Sequence, residues 1–124
     1  MEKVRVERSL LRNKNDQSEK EEGVKMRNFS TKSDGRAFDE STIEAVWQKG
    51  KPEPNYPGFS KDACGASIQR QKYGKQEQWG WEIDHIKPVS KGGTDDLSNL
   101  QPLQWENNRH KGDDYPNWSC KVKY

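Results

Sequence analysis

The stretch from position 84 to position 111 holds four kinds of side chain that could take part in one reaction. Asp84 offers a hard carboxylate oxygen, and the adjacent His85 offers an imidazole that can accept a proton near neutral pH. If residues 104–111 form a helix, Asn108 and Lys111 stand three positions apart and share one face. A carboxylate, an imidazole, an amide and an ammonium could therefore lie close together. In such a site the imidazole could transfer a proton beside the hard oxygen ligand of the carboxylate.

A strand from Trp79 to Ile86 is expected to carry the Asp84–His85 pair, because aromatic and β-branched residues are frequent there. Pro88 follows closely and blocks further pairing. Neighbouring residues of a regular strand point to opposite faces, so we expect the strand to be irregular or to end at this dipeptide.

The residues that follow predict a loop, a second ordered segment and a short helix. Lys91-Gly92-Gly93 forces a loop, Asn99-Leu100-Gln101 returns to ordered structure, and Gln104 to Lys111 fits about two helical turns.

Upstream elements must supply the core. Phe38 to Gln48 predicts an amphipathic helix, with a capping box at Ser41–Glu44 and a buried stripe formed by Ile43, Val46 and Trp47. The prolines of Lys51 to Ser60 argue against regular structure and predict an extended connector. Asp62 to Tyr73 alternates like a strand, and we expect it to pair with Trp79 to Ile86 as a hairpin.

Composition allows one small domain with a thin core. Of 124 residues, 28% are hydrophobic and 34% are charged, and no apolar run exceeds about three residues where a membrane span needs about 20. Five tryptophans argue against a fully disordered chain, and Trp81 and Trp105 are expected inside. Residues 1–35 hold 9 basic and 7 acidic residues and predict a disordered charged tail.

Residues 36–124 hold 13 charges of each sign and are formally neutral, so counterion release gives no argument for nucleic-acid binding. Cys64 and Cys120 stand 56 positions apart with no second cysteine near either. They predict two reduced thiols and a cytoplasmic protein.

The motif resembles the HNH nucleases. The matching residues are Asp84-His85-Ile86 with Pro88, Ser90, Gly92 and Gly93, then Asn99-Leu100-Gln101 with Leu103, then Asn108 with Lys111. His85 and Asn99 lie 14 positions apart, and Asn99 and Asn108 lie 9 apart, which suits the two-strands-and-helix metal fold of that family.

The resemblance implies a role for each matched residue. Asp84 and Asn108 would be metal ligands, His85 the general base that takes a proton from the attacking water, and Asn99 the residue that holds the loop and orients His85. Lys111, Lys91 and Arg109 are candidate nucleic-acid contacts. Many relatives bind a structural zinc through cysteine pairs, but this chain has Gln104 and Asn107 in that neighbourhood, so we expect no structural zinc.

The last signature position of the family motif is Asn108 in this chain instead of a histidine. An oxygen ligand in place of a nitrogen ligand favours Mg²⁺ or Mn²⁺ over Zn²⁺ or Ni²⁺. His110 lies two positions further along the helix, about 200° around it, and should face away from the metal.

The sequence as a whole predicts an α+β protein: a small ββα-metal (HNH, His-Me finger) domain over residues 36–124, with motif core 79–113, an N-terminal helix and a disordered tail. The predicted function is a metal-dependent endonuclease that hydrolyses DNA, with RNA left open, no membrane association and room for a targeting partner protein. The alternative is a non-catalytic nucleic-acid or protein-binding module that keeps the fold.

Overall fold

The structure, a computed structural model, describes residues 29–124. Most of the tail predicted over residues 1–35 therefore lies outside the described residues. The described chain forms two α-helices and two small antiparallel sheets, which confirms the α+β class. In order, the elements are α1 (Glu40–Trp47), β1 (Lys51–Pro52), β2 (Phe59–Lys61), β3 (Ser67–Gln69), β4 (Trp81–His85), β5 (Leu100–Gln104) and α2 (Trp105–Lys111). Short 3₁₀ turns span Arg70–Lys72, Val89–Lys91 and Leu97–Asn99.

The N-cap of helix α1 lies two residues before the predicted one. Asp39 is the N-cap residue, and its carboxylate accepts a hydrogen bond from Thr42 N at 2.9 Å. The predicted capping role of Ser41 is wrong, because Ser41 lies in the first turn and donates its own hydroxyl to Asp39 at 3.2 Å. The predicted core stripe is confirmed for Ile43 and Val46, which are buried, while Trp47 is half-buried and packs against the core.

A three-stranded sheet of order β1-β2-β3 follows α1. The predicted connector without regular structure is wrong at both of its ends, since Lys51–Pro52 and Phe59–Lys61 are strands. Pro52 is compatible with a strand because β1 is an edge strand, where one side of the backbone needs no ladder hydrogen bonds.

The predicted hairpin between Asp62–Tyr73 and Trp79–Ile86 is also wrong. Strand β3 pairs with β2, with Ser60 opposite Ile68, whereas β4 pairs with β5 in a separate sheet. All five residues of β4 are buried, so this strand needs a partner of its own length. The five-residue β5 provides one, and the three-residue β3 does not.

The core lies between α1 and the β4–β5 sheet. Trp81 is fully buried and packs against Trp47 and Tyr73, with ring centroids 5.2 and 4.9 Å apart. The core cluster consists of Phe38, Ile43, Val46, Ile68, Trp81, Ile83 and Leu100. The prediction that Trp81 is a core residue is confirmed, while Trp105 is half-buried.

The C-terminal residues are tied back onto α2. The fully buried Asn107 donates to Asp62 Oδ2 and Val122 O, and its Oδ1 accepts from Lys121 N and Val122 N at 2.8 and 2.7 Å. A disulfide joins Cys64 to Cys120 beside this point.

The prediction of two reduced thiols is therefore wrong. Residues 56 positions apart give no sequence signal of contact, and the fold brings them together. The cytoplasmic location rested on reduced thiols, and the disulfide removes that basis because such bonds persist mainly in oxidising compartments. Within residues 29–124, no helix is both long enough and apolar enough to cross a membrane.

Residues 29–38 form an N-terminal strap that precedes α1 in sequence and runs along the domain. Thr31 and Ala37 form a β-bridge within the strap, and Phe38 enters the core. Ser30 Oγ accepts a hydrogen bond from Ile83 N in β4 at 2.9 Å. The strap thus contacts the strand that carries Asp84 and His85.

Candidate active site

The interface between β4 and α2 gathers two acidic and two basic side chains. Glu82 and Asp84 lie two positions apart and therefore on one face of β4. On the facing helix, Arg109 binds Glu82 and Lys111 binds Asp84. The four charges balance, which allows both carboxylates to be buried.

Lys111 is buried and holds the Asp84 carboxylate. Its Nζ lies 3.3 Å from each carboxylate oxygen of Asp84 and donates to the backbone carbonyls of His85 and Ile86 at 3.1 and 3.2 Å. Gln101, opposite Asp84 in the β4–β5 ladder, donates to Asp84 Oδ2 at 2.9 Å. Only 1% of Lys111 is exposed, so its ammonium binds groups in the interior and is not available at the surface.

Asn108 presents an unpartnered oxygen at the same interface. Its Nδ2 donates to Glu82 Oε1 at 2.8 Å, which fixes which end of the amide faces Glu82. Its Oδ1 is buried and has no hydrogen-bond partner within the described chain. A buried polar atom without a partner is costly, and a ligand that binds it would remove that cost.

Arg109 also binds the Glu82 carboxylate. Its Nη2 and Nε donate to the two carboxylate oxygens at 2.8 and 3.2 Å, and its guanidinium lies 4.2 Å from the centre of the Phe29 ring. Arg109 is thus committed to Glu82 and to the strap.

His85 faces a different set of partners from Asp84. Its Nε2 lies 2.8 Å from Asp95 Oδ1, and its ring packs 6.0 Å from the ring of Phe38. Strand β4 ends at His85, as one branch of the prediction required. The two neighbouring residues serve opposite sides of the strand end, so they perform different tasks.

Asp95 is held by the strap. Ser33 N donates to its two oxygens at 2.9 and 3.2 Å, and Ser33 Oγ donates at 2.8 Å. Burial alone would raise the pKa of Asp95, but the hydrogen bonds from His85 and Ser33 outweigh it and lower the pKa below its usual value. Asp95 is therefore ionised at neutral pH.

Asn99 braces the loop that carries Asp95. Its side chain accepts from Lys87 N at 2.8 Å and donates to Lys87 O and Thr94 O at 3.0 and 2.9 Å. Gly93 packs so closely here that a Cβ atom would collide with Lys87 O and touch the Asn99 amide, so only glycine fits. Among the described residues the side chain of Asn99 bonds the loop and not His85.

The remaining predicted residues lie at the surface. Lys91 is exposed and donates to Asp113 O at 2.9 Å. His110 is exposed and lies 3.2 Å from Ser119 Oγ, which agrees with the expectation that it faces away from the site.

Sequence reasoning missed Asp95 and gave Glu82 no specific partner. The pair Asp95–Asp96 offers two equal carboxylates, and no local pattern distinguishes the one that reaches His85. Glu82 carried a usable signal, since it shares a strand face with Asp84.

The donor set fits a hard divalent ion. In residues 29–124 no three His, Cys, Asp or Glu side chains come together as a metal-binding group. Asp84 and Asn108 would instead contribute one carboxylate and one amide oxygen, and Mg²⁺ commonly takes its other ligands from water and phosphate. The unpartnered Oδ1 of Asn108 is the observation that favours the fit.

Comparison with known proteins gives one match. A protein-family model described as HNH endonuclease matches residues 64–114. Neither a search of curated proteins nor a search of solved structures finds a match. The matched residues include β4, β5 and α2 and exclude the strap and the last ten residues.

Proposed function

We propose that the protein is a metal-dependent endonuclease that hydrolyses DNA phosphodiester bonds, on the premise that a family model described as HNH endonuclease matches residues 64–114. In this proposal β4, β5 and α2 are the ββα-metal core. Asp84 and Asn108 would hold Mg²⁺ or Mn²⁺, and His85 would be the general base.

The proposal is supported above all by the buried Oδ1 of Asn108, which has no hydrogen-bond partner among residues 29–124 and lies on the interface that also holds Asp84. A structural asparagine would be expected to use both ends of its amide, as the neighbouring Asn107 does. Asn108 instead uses one end to bind Glu82 and keeps an oxygen available.

The chain's own residues supply proton transfer and placement. His85 accepts a proton from a water molecule, and the resulting hydroxide attacks phosphorus as the bond to the 3′ oxygen breaks. A bound divalent ion supplies stabilisation of the charge on the phosphate and on the leaving oxygen. Lys111 holds the Asp84 carboxylate in place, and Glu82 fixes the direction of the Asn108 oxygen.

We assign Lys111 and Arg109 to this support of the ligands because both are bound to buried carboxylates. Lys91, exposed beside the Gly92–Gly93 loop, remains the candidate contact to the DNA backbone.

A plasmid-nicking assay tests the function. We expect the protein to nick or cut supercoiled DNA with Mg²⁺ or Mn²⁺, to stop in EDTA, and to recover when metal is restored. DNA binding without cleavage in any divalent metal would support the alternative, a non-catalytic binding module that keeps the fold. Parallel RNA substrates decide the substrate class.

Replacing Glu82 with glutamine is expected to weaken Mn²⁺ binding by about 10- to 100-fold, the usual effect of losing a group that orients a ligand. A glutamine can turn its amide toward Asn108 and no longer fixes the direction of the Asn108 oxygen. Calorimetric Mn²⁺ titration measures the change. Glu77→Gln is the matched control, because it breaks only an exposed ion pair with Lys72. Equal Mn²⁺ affinities in the two variants would contradict the role of Glu82.

A further inference from the structure

The His85 ring is anchored through one nitrogen by a carboxylate. Nε2 lies 2.8 Å from Asp95 Oδ1. An ionised carboxylate only accepts hydrogen bonds, so Nε2 must carry the hydrogen and Nδ1 is left with the lone pair. The hydrogen bond thus selects both the orientation and the tautomer of the imidazole.

Asp95 is itself fixed from two directions. From the strap, Ser33 gives its carboxylate three hydrogen bonds from one N–H and one hydroxyl. From the loop, Asn99 binds both chain neighbours of Asp95: its Nδ2 donates to Thr94 O at 2.9 Å, and its N donates to Asp96 O at 2.7 Å. The carboxylate therefore has little freedom to leave His85.

The contacts of Asp95 also separate it from an ordinary surface ion pair. Its partner ring is buried, with 5% of His85 exposed, and Phe38 covers that ring on another side. The adjacent Asp96 has the same side chain but bonds only locally, to Thr94 Oγ1 at 3.0 Å. The chain thus offers two neighbouring aspartates of which one reaches His85.

We propose that Asp95 is a positioning residue for His85, fixed in turn by Ser33 of the strap, so that Nδ1 is the nitrogen that accepts the proton. This inference rests on the proposed nuclease function for its kinetic consequence, but not for its structural one. It places part of the active site outside residues 64–114, because Ser33 precedes the matched region. It also gives Asn99 a route to His85, through the loop and Asp95.

The test compares Asp95→Asn with Asp96→Asn, two variants of the same chemistry at adjacent positions. An asparagine can donate to Nε2 as well as accept from it, so the ring should lose its single tautomer. The protein contains only two histidines, and nitrogen NMR of ¹⁵N-histidine-labelled protein reads the tautomer directly, with His110→Gln to assign the signals. We expect wild type and Asp96→Asn to show one tautomer with hydrogen on Nε2, and Asp95→Asn to show a mixture or the reverse.

Cleavage kinetics give the second measurement. Asp95→Asn should lower kcat by about 10- to 100-fold with little change in KM, and Ser33→Ala by less, because it leaves the backbone donor in place. If the Asp-to-Asn change acted only by loosening the loop, KM would rise as well as kcat fall. The kinetics of Asp96→Asn would then change in the same way.

The outcomes separate the two proposals. An unchanged His85 tautomer in Asp95→Asn, or a kcat equal to that of Asp96→Asn, overturns the role of Asp95. A wild-type protein that cuts no nucleic acid, while Asp95→Asn still changes the tautomer, overturns the nuclease proposal and upholds the positioning of His85 by Asp95.

Discussion

His85→Ala is expected to lower kcat for DNA cleavage by about 10²- to 10⁴-fold, the usual contribution of a general base. The water would have to lose its proton without a positioned acceptor. Mn²⁺ affinity should change little, because His85 binds Asp95 and packs on Phe38 and is not assigned as a ligand. Plasmid cleavage at saturating DNA and metal measures the first quantity, and calorimetric titration the second.

His110→Ala is the control for His85→Ala, since it removes the other histidine, which is exposed. It should cleave at the wild-type rate. Cleavage that persists at the wild-type rate in His85→Ala would exclude the assigned mechanism. A large loss of metal affinity in that variant would show that His85 is a ligand instead of a base.

Lys111→Met is expected to reduce the free energy of unfolding by about 3–5 kcal/mol, the usual cost of removing one partner from a buried ion pair. Methionine preserves most of the length of the side chain but not the charge. Asp84, 2% exposed, would then lose its contact with the Lys111 ammonium, and two carbonyl oxygens of the β4 end would lose a donor. Urea denaturation followed by tryptophan fluorescence measures the loss.

Lys91→Met is the matched control, because this lysine is exposed and makes one hydrogen bond to a backbone oxygen. Its effect should stay within about 0.5 kcal/mol, as for most surface substitutions. The double variant Asp84→Asn/Lys111→Met should recover part of the loss, since it removes the buried carboxylate charge as well. A loss in Lys111→Met no larger than that in Lys91→Met would show that the buried pair is not needed for folding.

The site elements were predictable because their signals are local. The apolar and aromatic content around Trp81 and Ile83 indicated β4, and the three-residue spacing of Asn108 and Lys111 indicated the face of α2. Both signals use only residues within one element, where periodicity is reliable. The family motif then assigned chemistry to those positions.

The pairing of strands and the burial of charges were not predictable in the same way. Strand β4 skips its neighbour in sequence and pairs with β5, a choice decided by which strand can cover five buried residues. Lysine is usually exposed, and only the contact with Asp84 and the end of β4 explains why Lys111 is buried.

The hydrogen-bond partner of His85 could not be predicted from the sequence either. Asp95 and Asp96 are equivalent as residue types, and the choice between them depends on Ser33, 62 positions away. Such a contact exists only once the strap has folded against the loop. The cap of α1 was a smaller error of the same kind, since both Asp39 and Ser41 are good N-cap residues.

The hydrogen bonds of Asn107 determine how long a segment of this chain must be if it is to be transferred into another protein. The amide joins Asp62, which precedes the matched region 64–114, to Val122, which follows it. A segment cut at the limits of the match would leave a fully buried amide without these partners and Cys64 without Cys120. A segment of this chain that is to fold by itself must therefore extend from the strap to beyond Val122, about twice the length of the family match.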